Sequence, residues 1–137
     1  MRNRWLVGSL MLALAACQAA PEKSLTPLPE KVTAMPYGRL LERARLQATQ
    51  AGEAYYIDNW AGLIEAATGL EQTAQFLAKA DDVPVKHRDT LATASNDLGK
   101  LAASLKVAAE AKDVKKSNTI MTSIQAKVRE MRLGDGM

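Results

Sequence analysis

The chain holds one thiol, Cys17, and one imidazole, His87. A thiolate is a strong nucleophile for lipid or acyl transfer, but a single cysteine forms no internal disulfide and no multi-thiolate metal site. His87 sits among Lys86, Arg88 and Asp89, a solvated neighbourhood with no orienting partner for a ligand or catalytic imidazole. It is expected to be exposed and without a role. Met121 and Met131 fall on an apolar seam and read as core fillers rather than thioether ligands. Glu65 and Glu71 do not share a helical face closely enough for paired acid–base work. A di-iron site needs two Glu-x-x-His pairs, and one histidine cannot supply them. Phosphate-loop, nucleophile-elbow, HExxH and EF-hand patterns are absent. The residues therefore predict no catalytic group, no metal, no cofactor and no enzyme.

Cys17 has a setting of its own. Arg2 and Arg4 precede an apolar run from Leu6 to Leu14, followed by the small residues Ala15 and Ala16. A positive start, a short apolar stretch and small residues at a break describe a secretory signal. The run is too short to span a bilayer, which takes about 20 apolar residues. Leu14, Ala15, Ala16 and Cys17 resemble the lipobox of bacterial lipoproteins. That resemblance implies that the Cys17 thiol takes a diacylglyceryl group and that cleavage falls just before it. It further implies palmitate-like acyl chains as an anchor and a lipid bilayer as the first partner. Gln18, where an aspartate would signal inner-membrane retention, implies the outer membrane facing the periplasm. The periplasmic face of the inner membrane is the alternative.

Removing residues 1–16 takes the charge balance from 18 bases against 15 acids to 16 against 15. The basic precursor is thus no argument for nucleic-acid binding. Residues 17–35 carry Pro21, Pro27 and Pro29 among polar residues without apolar periodicity, and read as an extended, mobile tether after the lipidated cysteine.

From residue 36 to 133 the pattern is helical. Leu41, Ala44, Ala48, Ala51 and Tyr55 step by threes and fours, as do Trp60, Leu63, Ala67, Leu70, Ala74 and Leu77. Leu91, Ala94, Leu98, Leu101, Leu105 and Ala108 form a third seam, with Leu101 expected to be fully buried. Met121, Ile124, Val128 and Met131 form a fourth. The seam changes phase between Tyr55 and Trp60, where Asp58 or Asn59 can cap a new helix. Asp82 or Val83 is expected to cap the third helix, with Pro84 in its first turn, and Asp113 to cap the fourth. The fourth is expected to end near Arg132, leaving residues 134–137 as a flexible terminus. An unbroken helix over 36–80 would run about 68 Å, far longer than its partners. The preferred architecture is therefore all-α, an antiparallel four-helix bundle. The alternative is a long bent helix plus two more, its free end buried by a second copy in a homo-oligomer. Tyr37, Tyr55, Tyr56, Trp60 and Phe76 are expected to plug the bundle ends.

Charge is uneven: Glu53 to Asp82 carries six acids and one base, Lys100 to Arg132 eight bases and three acids. The plain reading is neighbouring solvated faces that attract weakly. The helix pattern, with Trp60, Leu63, Ala67 and Leu70, then Leu98, Leu101, Leu105, Ala108 and Ala109, and a last helix closing on Val128, Arg129, Glu130, Met131 and Arg132, resembles the cytochrome c-prime family and its haem-b relatives. That family's haem is held by a CxxCH motif or a histidine on the final helix. The corresponding places here are Ile124, Lys127 and Val128, so the resemblance implies a haem-less descendant. Two functions follow as expectations. The first is a non-catalytic, lipid-anchored envelope scaffold or binding module with an envelope-protein partner. The second is a periplasmic haem or metal carrier using methionine ligands.

Overall fold

The structure, a computed structural model, describes Leu28 and residues 35–134. Four helices follow one another: α1 Tyr37–Tyr56, α2 Trp60–Ala78, α3 Arg88–Glu110 and α4 Val114–Gly134, with a 3₁₀ turn at Val85–His87 before α3. At 20, 19, 23 and 21 residues, they span about 30–35 Å each at 1.5 Å per residue. Matched lengths and short connections, of three residues at 57–59 and 111–113 and nine at 79–87, give an up-down-up-down bundle, in which α1 packs on α2 and α4 while α3 packs on the same two. The chain breaks where the seam changes phase, and the long bent helix is not formed. No helix among the described residues is long and apolar enough to cross a membrane.

The seams face inward largely as their spacing predicts. Leu41, Leu63, Leu70, Leu77, Leu98, Leu105 and Ile124 are all essentially inaccessible, and Met121, Val128 and Met131 are buried with them. Leu101 is a correction: it is only half-buried, while Ala102, Ser95 and Ala109 take the inward positions. A straight helix of 3.6 residues per turn drifts by about 20° per heptad against a strict three-four seam. Leu101 is carried to the rim, and Ala102, four residues after Leu98, replaces it.

Two corners share one construction. The Asp58 amide donates to Tyr55 O at 3.1 Å and the Asn59 amide to Ala54 O at 2.8 Å; Lys112 donates to Ala109 O at 3.0 Å and Asp113 to Ala108 O at 2.9 Å. Each is a Schellman closure. Its left-handed residue is Asp58 at φ 55 or Lys112 at φ 52. The next residue then caps the following helix. Asn59 accepts from the Gly62 amide at 2.9 Å and Asp113 from the Lys116 amide at 2.9 Å. A left-handed L-residue costs about 1–2 kcal/mol, and glycine avoids it at some cost in chain entropy. Lys112→Gly should therefore raise stability by about 0.5–1 kcal/mol, read as a rise of a few degrees in the thermal midpoint. Lys112→Ala should give no such rise. A midpoint lowered by the glycine would contradict this account of the corner.

The third connection differs from expectation. Asp82 does not cap α3. Both its carboxylate oxygens accept from the Tyr37 amide at 3.1 Å, so it caps α1 from 45 residues away. Val83 is buried in the core, and Pro84 precedes the 3₁₀ turn rather than opening the helix. His87 ends that turn and is half-buried rather than exposed. At the far terminus α4 continues to Gly134, two residues past the expected end, and residues 135–137 lie outside the described region.

Of the expected tether only Leu28 and Met35 are described, and both pack against the core. Leu28 is also clipped to α2 by two hydrogen bonds. Its amide donates to Gln72 Oε1 at 3.0 Å, and Gln72 Nε2 donates to its carbonyl at 2.7 Å. At these two positions the chain is docked on the bundle, not a free spacer.

Candidate functional site

The α1–α2 and α3–α4 corners lie at one end of the bundle, and the start of α1 with the α2–α3 connection at the other. The first end is apolar. Five large apolar side chains are well exposed among the described residues, and four are here: Tyr56 at 83%, Ile57 at 73%, Val107 at 59% and Val114 at 55%. The fifth, Val85, lies at the opposite end. Tyr55 ties the two corners together by donating from its hydroxyl to Val114 O at 3.2 Å. Its ring meets Tyr56 and Trp60 edge to face, with centroids 5.9 and 6.3 Å apart. Tyr55 and Trp60 thus brace the end, whereas Tyr56 plugs nothing and projects outward.

A groove runs from this end down the α1–α2 seam and holds about 280 Å³. Its floor is low because Gly62, Ala66 and Gly69 recur on one face of α2. Gln47 of α1 is packed over that floor. It is only 2% exposed, and its Oε1 accepts from Thr73 Oγ1 at 2.8 Å. A Cβ built on Gly69 would come within 2.7 Å of Gln47 Nε2, so glycine there is what admits the amide. Glu53 and Glu65 stand on the two helices that wall the groove.

A second, basic groove lies between α1 and α4, holding about 230 Å³ and lined by Arg45, Arg129 and Arg132 with Thr49 and Gln125. Arg45 is committed in part to Glu42, its Nε donating to both carboxylate oxygens at 3.1 Å. That hydrogen bond holds the Glu42 carboxyl below its usual range and the Arg45 guanidinium above its own.

The residues singled out in the sequence fall apart in space. Leu14, Ala15, Ala16 and Cys17 lie outside the described residues. Ile124 and Val128 are core residues, at 1% and 4% exposure. Lys127 is held at the surface, 3.0 Å from Glu130 and 3.7 Å from Asp97, and Glu130 above all raises its pKa. Met121 and Met131 are both buried on α4. Ten residues of helix separate them by about 15 Å, too far for both sulfurs to ligate one iron. Among the described residues no three His, Cys, Asp or Glu side chains are grouped to hold a metal. Gln47 escaped the sequence reading because its partner Thr73 is 26 residues away. Its one sequence signal is the run of small residues Gly62, Ala66 and Gly69, one helical face whose partner must carry a side chain to fill it. Compared with known proteins, the chain matches no family model, no curated protein and no solved structure.

Proposed function

We propose that this protein is a non-catalytic, lipid-anchored component of the bacterial cell envelope whose bundle docks a partner protein through the end bearing the two corners. The carrying observation is the concentration of exposed Tyr56, Ile57, Val107 and Val114 at that end. Exposed apolar side chains gathered into one patch are the common mark of a protein-binding surface. The lipobox-like Leu14 to Cys17 supports attachment at the N-terminal side. The chain enters α1 beside Asp82, at the end opposite the apolar one, and Leu28 is held by Gln72 on the flank of α2. Outer-membrane attachment, read from Gln18, belongs to the same proposal.

A photo-crosslinking amino acid placed at Tyr56, in cells expressing the protein at native level, should give one dominant adduct with an envelope protein. The same group at Val85 should give none. Ile57→Ser should weaken the adduct from Tyr56 without changing the melting temperature, because Ile57 is outside the core. No adduct at Tyr56, or equal adducts at both positions, would sink the reading.

A further inference from the structure

We infer that the basic groove between α1 and α4 binds a phosphoryl group, held by the guanidinium groups of Arg45, Arg129 and Arg132. This goes beyond the docking of a protein at the corner end and stands whether or not that docking holds.

Three cations meet in one groove. Arg129 and Arg132 are three residues apart, so they share one face of α4, and Arg45 stands across from them on α1. The floor between them is Ala48 and Val128, both buried, and no carboxylate lines the groove. Among the described residues neither Arg129 nor Arg132 makes a hydrogen bond or an ion pair. Glu42 is close enough to feel Arg132, but its carboxylate is already taken by Arg45. Lys127, on the same helix, shows the contrast: Glu130 and Asp97 both meet it. Thus α4 has carboxylates for its lysine on one face and none for its two arginines on another. A groove lined by one sign of charge gathers counter-ions of the other.

Residue type narrows the anion. All three bases of the groove are arginine, although α4 also carries Lys115, Lys116 and Lys127 outside it. A guanidinium presents paired N–H donors in a plane and grips two oxygens at once, where an ammonium acts as a point charge. A carboxylate has its oxygens in one plane, and a single fork saturates it. A phosphoryl group spreads its acceptor oxygens over a tetrahedron and meets forks from both helices together. The groove's volume of about 230 Å³ admits such a group with some of its water. The negative end of the α4 dipole gives Arg132 a local use. That dipole amounts to about half a charge and leaves Arg45 and Arg129 unaccounted for. A phospholipid headgroup and a free phosphate share the chemistry, and the test separates them.

NMR of the full, isotope-labelled chain in uncharged detergent micelles, at constant ionic strength, follows the arginine Nε–H signals. One arm titrates inorganic phosphate, a second dopes the micelles with phosphatidylglycerol, and acetate is the control anion. The expected result is a saturable shift of the Arg129 and Arg132 signals in at least one arm, with acetate roughly ten-fold weaker. Saturation by inorganic phosphate alone identifies a free phosphate as the ligand, and saturation by phosphatidylglycerol identifies a headgroup. Arg129→Gln with Arg132→Gln should weaken binding roughly ten-fold, read at Arg45. Arg129→Lys with Arg132→Lys keeps the charge, loses the forks and should weaken it about three-fold. Lys115→Gln with Lys116→Gln removes the same charge from the first turn of α4 and should leave affinity unchanged. Arg129, Lys115 and Lys116 are exposed and Arg132 is half-buried, so these variants should keep their fold, which a thermal melt checks. Arg129→Gln alone, at its exposed position, gives the same reading if the double variant melts early. Equal binding of acetate, an equal loss in the Lys115 and Lys116 variant, or no saturation in either arm would overturn the assignment.

Discussion

Leu98→Ala should lower the melting temperature by on the order of 10–30 °C, the combined result of a lost core side chain and the cavity it leaves. Leu98 is mid-α3 and wholly inaccessible. A buried leucine cut to alanine costs about 2–5 kcal/mol, against about 5–15 kcal/mol of total stability for a small domain. Leu101→Ala, one turn further on the same helix, is the informative control. Leu101 is half-buried, so part of its surface is already in water and little cavity forms when it is trimmed. Its midpoint should fall by less than half as much. Circular dichroism melts of the two variants read the rotation of α3 directly: equal losses would mean that the helix is turned relative to the core described here.

Cys17→Ser should abolish lipid attachment altogether. On the lipobox reading, the thiolate is the nucleophile that receives the diacylglyceryl group, and a serine hydroxyl is a far poorer one at neutral pH. The expected products are full-length precursor with its signal uncut and no incorporation of labelled fatty acid, seen by mass spectrometry and fluorography. Processing to the normal size, with label still on the chain, would refute the assignment of Cys17. The bundle should keep its melting temperature, since its buried core runs from Leu40 to Met131.

The helices were legible because each is amphipathic with its own seam, and because the step of five from Tyr55 to Trp60 announced a break. Asn59 and Asp113 were legible as caps for a local reason: each bonds an amide three residues ahead. Asp82 was not, because its partner Tyr37 is distant in sequence and no local pattern encodes that meeting. The left-handed Lys112 was hidden as well, since glycine is the usual marker of that geometry and none stands there. Leu101 misled for a finer reason: the seam allowed Leu101 or Ala102 to follow Leu98, and side-chain size favoured the leucine. The drift of a 3.6-residue helix against the three-four seam turned the alanine inward. The α1–α2 groove was the least legible part. Its acids showed in the charge balance, but Gln47 was one glutamine among several until Thr73 and Gly69 were brought to it.

The clip between Leu28 and Gln72 sets a radius of action. Were a lipid carried at Cys17, only eleven residues would separate it from Leu28. At about 3.3–3.6 Å per residue these reach at most about 36–40 Å. A partner held within the hemisphere swept by so short a leash meets the domain at an effective concentration on the order of 10 mM. At that concentration even a weak, millimolar contact would be occupied most of the time. The paired hydrogen bonds of one glutamine thereby trade reach for occupancy: releasing Leu28 would add seven residues before Met35, widen the swept volume several-fold and dilute the encounter in proportion.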